Sequence, residues 1–256
     1  MDTVKTKEHA GMIDAALATW PEISAALKAR SIPILPFGAH EQHGAHLPLQ
    51  TDSIMATELA RRVATAVDGM LLPTLAYGET SNNAGFPGTL SLSFDTVVAI
   101  ALDLGRALAD QGAPGFVIIN GDFGNQAPLK LAAKRMTLGQ GVPVLPTLVV
   151  DYPGFGELAA QLASTQPAGP GFYHADEVET SIVLAVRPET VQMERAEPAY
   201  PTFPNTYPSL FTPLHEISPT GVFGDPRPAT AETGEKLLDG LTLRAAALVR
   251  EFLKGL

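Results

Sequence analysis

The chain has 256 residues, of which 45% are hydrophobic and 17% charged, a balance typical of a globular protein with a substantial core. Its net charge of −10 disfavours nucleic acid or an anionic membrane surface as a partner, because both require clustered Lys and Arg. The absence of Cys excludes disulfides, thiolate nucleophiles and Cys-ligated metal sites. The opening segment lacks the apolar core of a signal peptide and no apolar run reaches the roughly 20 residues of a membrane span, so we expect a cytoplasmic protein.

Apolar runs alternate with helical patterns along the chain. In order, the sequence predicts a strand at 31–37, a helix at 52–67, a strand at 69–78, a helix at 94–112, a strand at 115–121, a helix at 125–139, a strand at 142–150, and helices at 174–191 and 229–256. Thr51 or Asp52 is a natural N-cap for the first helix, and Pro73 places the second strand near an edge or a bend. The alternation predicts one α/β domain over residues 1–256, with a mostly parallel sheet covered by helices.

Residues 194–227 break this alternation. The segment is rich in Pro, Phe and Tyr and has no evident period. A loop of this length in a compact domain is usually functional or bridges subunits. Together with the low charge of the chain, it leads us to expect a homo-oligomer with this segment near the subunit contacts.

Polar side chains follow four of the predicted strands. In open α/β sheets, ligands bind beyond the carboxyl ends of the strands, so these groups are expected to share one rim. They are Glu41 and His43, Asn82 and Asn83, Asn120, Asp122 and Asn125, and Asp151 and Tyr152.

The first of these strand ends is the richest in metal-binding side chains. Glu41 and His43 are two residues apart, which places their side chains on the same side of an extended chain. Asp52 follows where the next helix begins, and by itself it would be read as an ordinary helix cap. Together, a Glu, a His and an Asp are side chains that can bind a metal ion.

Two further motifs have both a structural and a functional interpretation. The sequence NGDFGN at 120–125 is either a simple turn or a turn that presents Asp122 at the rim. The sequence HADEVETS at 174–181 is either a capped helix start or one in which His174 and Glu177 face the rim, with Glu179 supporting them from behind.

Taken together, these residues form a carboxylate-rich set with one or two histidines. Such a set fits a two-metal hydrolytic site that accepts Zn²⁺, Mn²⁺ or Fe²⁺. The sequence has no G-x-S-x-G segment, which disfavours a serine hydrolase, and no Walker A or G-x-G-x-x-G segment, which disfavours nucleotide-dependent chemistry.

Five motifs, in the order and spacing found here from about Ile32 to Leu238, resemble those of the creatininase (creatinine amidohydrolase) family. They are EQHGAHLPLQTD at 41–52, GFPGT at 85–89, NGDFGN at 120–125, HADEVETS at 174–181 and GVFGDPRPATAETGEKLL at 221–238. The resemblance implies a three-layer α/β/α sandwich and a centre of two divalent ions per subunit. It also implies a homohexamer and hydrolysis of a C–N bond in a small-molecule amide (a lactam, cyclic ureide or formamide) by a metal-bound hydroxide.

By position, the resemblance also implies roles for individual residues. Glu41 matches a ligand of one ion, His43 a ligand of the other, and Asp52 the carboxylate that bridges them. Glu177 matches an acidic ligand of the family and a catalytic residue. His174, three residues earlier, is expected to transfer a proton to the leaving nitrogen.

Asp122 departs from the family pattern, because most members have His at this position. As a fifth ligand, Asp122 would shift the metal preference toward harder ions such as Mn²⁺, and it leaves open the loss of one ion. The alternatives to an amidohydrolase are therefore a binding or scaffold protein of the same fold with an impaired metal site, and a lactone hydrolase that uses the same centre. The metal content per subunit distinguishes an impaired site from an intact one.

Overall fold

The computed structural model describes residues 11–169, 171–207 and 209–256. The first ten residues, on which most of the argument against a signal peptide rests, lie outside the described residues. Within the described ranges, the helices are too short or too polar to cross a membrane.

The described residues form five strands and eight α-helices. In chain order these are β1 (Ile13–Asp14), α1 (Trp20–Lys28), β2 (Pro33–Phe37), α2 (Thr51–Val67), β3 (Met70–Leu71), α3 (Phe94–Asp110), β4 (Phe116–Asn120), α4 (Gln126–Leu138), β5 (Thr147–Val150), α5 (Phe155–Leu162), α6 (Glu177–Val186), α7 (Leu214–Ile217) and α8 (Ala231–Lys254).

The five strands form one sheet in the order β1-β3-β2-β4-β5, and every pair is parallel. At its centre, Phe37 of β2 lies opposite Asn120 of β4, and Ile119 lies opposite Val150 of β5. Every residue of β2 and β4 is buried, as expected for strands covered on both faces. The carboxyl ends of β2, β4 and β5 therefore lie side by side at one rim.

Helices cover both faces of this sheet and give the three-layer α/β/α sandwich that the family resemblance implies. On one face, Ile34 and Val117 pack in a core with residues of α2, α6 and α8. On the other face, Leu35 and Ile118 pack with α3 and α4. Consecutive strand residues alternate between the two cores because side chains of a strand point to opposite faces.

Several predicted elements are shorter in the structure. The strand predicted at 69–78 is reduced to β3 plus an isolated bridge between Leu75 and Phe37, because Pro73 cannot donate a ladder hydrogen bond. The strand predicted at 142–150 begins only at Thr147. The elements β1, α1, α5 and α7 were not predicted, since each is too short to give a clear hydrophobic period.

The predicted N-cap of α2 is wrong. Gln50 holds the cap position, and it makes no side-chain capping bond. Thr51 instead donates its hydroxyl to the carbonyl of Pro48 at 2.8 Å. The carboxylate of Asp52 belongs to the buried cluster described next, so it is not available to the helix end.

Candidate metal centre

The loop between β2 and α2 carries the first acidic and histidine side chains to the rim. The amide of Glu41 donates to the carbonyl of Leu49 at 2.9 Å, which closes the loop back on itself. Glu41 and His43 are buried, with 3% and 0% of their surface exposed. Burial of these groups in one loop is costly unless charged partners or a cation compensate for it.

Three groups of potential ligand atoms meet at this loop; Glu41, His43 and His174 form one of them, and Asp52 belongs to the other two. Of the two that share Asp52, His43, Asp52 and Glu179 form the first, and Glu41, Asp52 and Asp122 form the second, with the ligand atoms of each group within 4.8 Å of one another. In the first of these, Nε2 of His43 lies 3.3 Å from Oδ1 of Asp52. A carboxylate shared by two sets of ligands is the arrangement expected of a bridging ligand between two ions.

Three atoms of these groups are buried and have no hydrogen-bond partner: Nε2 of His43, Oδ2 of Asp52 and Oδ2 of Asp122. Buried polar atoms are normally paired, and unpaired ones at the same place are atoms that a bound cation would satisfy. All three are atoms that bind divalent cations. The residues present therefore fit a metal centre.

The electrostatics of the cluster lead to the same interpretation. Burial and the charge of Asp52 raise the pKa of Glu41 to about 8. Burial raises the pKa of Glu179 to about 8 as well, with a further contribution from Asp52. Burial, Glu41 and Asp52 hold the pKa of Asp122 well above its usual range. Carboxyl groups crowded in this way lack a positive charge, and a divalent cation would supply it.

His43 is the one member of the two groups sharing Asp52 that opposes this negative charge. Its burial lowers its pKa, but the charges of Asp52 and Glu179 outweigh burial and raise that pKa well above the ordinary value. A bound cation would replace the proton that these carboxylates attract.

The structure does not bring Glu177 into the cluster. Its carboxylate accepts hydrogen bonds from the backbone amides and hydroxyls of Ser164 and Thr165, at 2.7 to 3.1 Å. Glu179, expected to act as a support, contributes its carboxylate instead and lies 3.5 Å from Nε2 of His43. Residues two apart on a helix point in directions about 200° apart, so only one of the two can face the site.

The start of α6 fixes which of the two faces inward. Asp176 is the N-cap, and its Oδ1 accepts hydrogen bonds from the amides of Val178 and Glu179. The carboxylate of Glu179 accepts a bond from the amide of Ala175 at 2.7 Å. Asp176 is thus a helix cap, and this cap was the signal that could have identified Glu179, because the start of a helix determines which residues of its first turn face inward.

His174 lies at the edge of the cluster. Its ring centroid is 4.4 Å from that of His43, and its Nδ1 is 3.8 Å from Oε1 of Glu41. Burial and the charge of His43 hold the pKa of His174 well below its ordinary value, so the ring is neutral at pH 7. The structure therefore brings Glu41, His43, Asp52, Asp122 and His174 together, as the sequence predicts.

The cluster forms the floor of a pocket of about 650 Å³. This volume falls within the range of small-molecule sites. Its walls include Asn83, Phe172 and Tyr207. Phe172 packs edge-to-face on Phe203 at 5.2 Å, so the segment 194–227 supplies part of the wall and its backing.

Tyr152 presents a polar group to the same pocket. Its φ angle of +40° is in the left-handed region, which is unfavourable for a bulky residue. Its hydroxyl is buried without a hydrogen-bond partner, and burial together with the nearby carboxylates raises its pKa well above the usual value. Strained residues of this kind are concentrated at functional sites.

The molecule is a parallel α/β/α sandwich with carboxylates and histidines at its strand ends. This combination of fold and site is that of a class of metal-dependent hydrolases. The profile of the creatininase family, described as creatinine amidohydrolase, matches residues 16–249. The chain belongs to the creatininase family, whose members are metal-dependent hydrolases acting on C–N amide bonds.

Relatives of known name support this assignment. A mycofactocin precursor peptide peptidase of Mycobacterium ulcerans (strain Agy99) is 32% identical over 232 residues, which cover 86% of this chain and 81% of that protein. A creatinine amidohydrolase of Pseudomonas putida is 30% identical over 247 residues, which cover 91% and 94% respectively.

Solved structures agree in fold. A creatinine amidohydrolase (creatininase) crystal structure has a TM-score of 0.83 at 29% identity and covers 94% of this chain and 98% of that chain. A manganese creatininase has a TM-score of 0.81 at 28% identity, with coverage of 94% and 98%. A creatininase mutant of the Zn-Zn type has a TM-score of 0.82 at 29% identity, with coverage of 93% and 97%.

Proposed function

We propose that the chain hydrolyses a C–N bond of a small cyclic or linear amide, such as a lactam, cyclic ureide or formamide, with two divalent ions per subunit. The observation that carries this proposal is the pair of ligand groups that share Asp52 beneath a pocket. His43, Asp52 and Glu179 would hold one ion, and Glu41, Asp52 and Asp122 the other. When bound, such ions acidify a water molecule and polarise the substrate carbonyl.

Residues of the protein would then transfer the protons of the reaction. In the overall reaction, the oxygen of water bonds to the carbonyl carbon, the C–N bond breaks and its electron pair stays on nitrogen, which takes up a proton. Neutral His174 lines the pocket beside Glu41, so its N–H is placed to pass a proton to that nitrogen, and the proton that water loses would restore the neutral ring. A lactone would be cleaved by the same arrangement with oxygen as the leaving atom.

The charge of the pocket supports a neutral or cationic substrate. None of the described residues that line it is Lys or Arg. Two divalent ions would balance the four carboxylates of the two ligand groups. Of the other lining carboxylates, Asp151 is paired with Lys130 at 2.7 Å and Glu157 with Arg244 at 2.9 Å, and Glu79 remains at the rim. An anionic substrate would meet this negative wall.

The apolar wall supports a substrate with a ring or another hydrophobic part. Phe155, Phe172 and Tyr207 contribute aromatic surface to the pocket. Tyr207 lies against Phe203, with ring centroids 4.9 Å apart, so it is held within an aromatic cluster. Rigid aromatic walls orient a flat substrate at low entropic cost.

Turnover of a panel of lactams, cyclic ureides, formamides, lactones and short peptides tests this proposal. The protein is first loaded with Mn²⁺ or Zn²⁺, and its metal content is measured. We expect hydrolysis of at least one neutral or cationic amide, with His174→Ala losing turnover but retaining the metal. A fully loaded protein that cleaves no member of the panel would favour a binding or scaffold role instead.

A further inference from the structure

The side-chain amide of Gln42, between the two predicted ligands Glu41 and His43, has a fixed orientation. Its Oε1 accepts a hydrogen bond from the backbone amide of Gly44 at 2.9 Å. Its Nε2 donates to the backbone carbonyl of Gly221 at 3.2 Å. A backbone N–H can only donate and a carbonyl can only accept, so these two contacts distinguish the oxygen of the amide from its nitrogen.

The nitrogen of this amide also contacts the ring of His174. Nε2 of Gln42 lies 2.7 Å from Nε2 of His174 and 2.8 Å from Oδ1 of Asn83, so its two N–H groups point to these atoms and the longer contact with Gly221 shares one of them. An amide NH₂ group only donates, so Nε2 of His174 must accept and carries no proton. Rotating the ring by 180° would place a carbon atom at this short distance, which is below a normal carbon–nitrogen contact.

We propose that Gln42 is a positioning residue that holds His174 in the tautomer protonated at Nδ1. Nδ1 is the nitrogen on the side of the metal centre, 3.8 Å from Oε1 of Glu41. The ring then presents an N–H donor, and not a lone pair, on the side of Glu41. Only the use of this proton in catalysis rests on the proposed function, because the tautomer follows from the hydrogen bonds alone.

The residues around Gln42 leave space for its side-chain amide and contact it. Gly221 has a φ of +73°, and a Cβ there would lie 1.9 Å from Oε1 of Gln42. Asn83 accepts from Gln42 and donates its own Nδ2 to Oε2 of Glu41 at 2.7 Å. Gln42 thus joins three distant loops, and through Asn83 it couples the orientation of His174 to that of a predicted metal ligand.

Histidine NMR of the zinc-loaded full-length protein tests the tautomer directly. The imidazole ¹⁵N shifts distinguish a protonated ring nitrogen from an unprotonated one, and the signals of His174 are identified by their loss in His174→Gln. We expect a protonated Nδ1 and an unprotonated Nε2 in the wild type. A protonated Nε2 in the wild type would overturn the proposal.

Two variants at Gln42 test whether this residue determines the tautomer of His174. Gln42→Glu has the same shape but offers an acceptor, so the proton of His174 should move to Nε2; Gln42→Met removes the donor and should give a mixture of tautomers. Gln140→Glu, at an exposed position, adds the same charge elsewhere and should change nothing. A tautomer that stays the same in Gln42→Glu would also overturn the proposal, provided that its melting temperature and zinc content match the wild type.

Activity separates this inference from the proposed function. If His174 is the proton donor, Gln42→Glu should lower kcat between about 10- and 100-fold with little change in KM. The expected tautomer shift with unchanged kcat would leave the role of Gln42 intact and refute the role of His174. If Gln42→Glu does not fold, the wild-type spectrum and Gln42→Met still decide the tautomer.

Discussion

Oε2 of Glu179 lies 3.5 Å from Nε2 of His43, although the two residues are 136 positions apart in the chain. Glu177, two residues before Glu179, does not take this position. It lies one residue past the N-cap of α6 and turns to Ser164 and Thr165. The structure therefore divides the acidic residues of one motif between two tasks. Glu177 secures the loop after α5, and Glu179 completes the set of ligands around Asp52.

The first prediction uses this pair of residues as matched variants. Glu179→Gln should bind fewer ions per subunit than the wild type and lose on the order of 10²-fold in activity, because it removes a ligand. Glu177→Gln should keep the metal but lose roughly 1–3 kcal/mol of stability, because its bonds to Ser164 and Thr165 weaken. Elemental analysis and urea unfolding of both variants measure these effects. Metal loss in Glu177→Gln and not in Glu179→Gln would contradict the assignment.

The second prediction concerns Asp52 and metal removal. Chelation should abolish turnover and lower the melting temperature of the wild type, because the cluster carries excess negative charge without a cation. Asp52→Asn should release both ions, whereas changing a ligand of one ion should release one. Calorimetry and metal analysis before and after chelation check this. Activity that survives complete metal removal would rule out a metal mechanism.

The third prediction concerns Asp122, where the family resemblance leads us to expect His. Asp122→His should move the metal preference from Mn²⁺ toward Zn²⁺, since imidazole is a softer ligand than carboxylate. Asp122→Asn should weaken binding of the ion held with Glu41 and Asp52. Competition titrations with both metals provide the measurement. If Asp122→Asn binds both metals as the wild type does, Asp122 serves only the turn, where its Oδ1 accepts from Gly124.

The fourth prediction is a pH dependence from His46. This buried ring contacts the hydroxyl of Thr180 at 2.9 Å, and burial, with the charge of His43, lowers its pKa to about 4. The ring is neutral in the fold but takes up a proton near pH 6.5 when unfolded, so its contribution is present above pH 6.5 and is lost as the pH falls toward 4.

His46→Gln, which can keep the bond to Thr180 without titrating near neutral pH, is the matched variant for this pH dependence. Urea unfolding of the metal-free proteins should show the stability of the wild type falling, relative to His46→Gln, between pH 6.5 and pH 4.5. A difference that does not change with pH would mean that the ring titrates normally in the fold.

The fifth prediction is a homo-oligomer, which the family resemblance implies to be a hexamer. The exposed side chains Tyr200, Leu210 and Phe211 of the segment 194–227 leave apolar surface available for subunit contacts. Light scattering at low micromolar concentration should report a mass several times the 26.9 kDa of the chain, and Phe211→Glu should reduce it. A monomeric wild type would refute the expectation.

The sequence by itself predicted a mostly parallel sheet covered by helices, because buried strands and amphipathic helices have hydrophobic periods that can be read locally; the three-layer sandwich was implied by the family resemblance. It also predicted that Glu41, His43 and Asp122 lie at one rim, because the carboxyl ends of parallel strands meet there whatever the details of packing. Asp52 was placed beside them by its position at the start of the following helix. The predicted strand at 69–78 failed because Pro73 interrupts pairing.

Only the tertiary structure decided which atoms meet. The choice between Glu177 and Glu179 depends on how α6 is rotated, and this rotation follows from its cap at Asp176 and its packing on the core. The bonds of Gln42 to Asn83, His174 and Gly221 span 41, 132 and 179 positions along the chain. A local pattern carries no information on such contacts, because they are formed by packing of distant loops against one another.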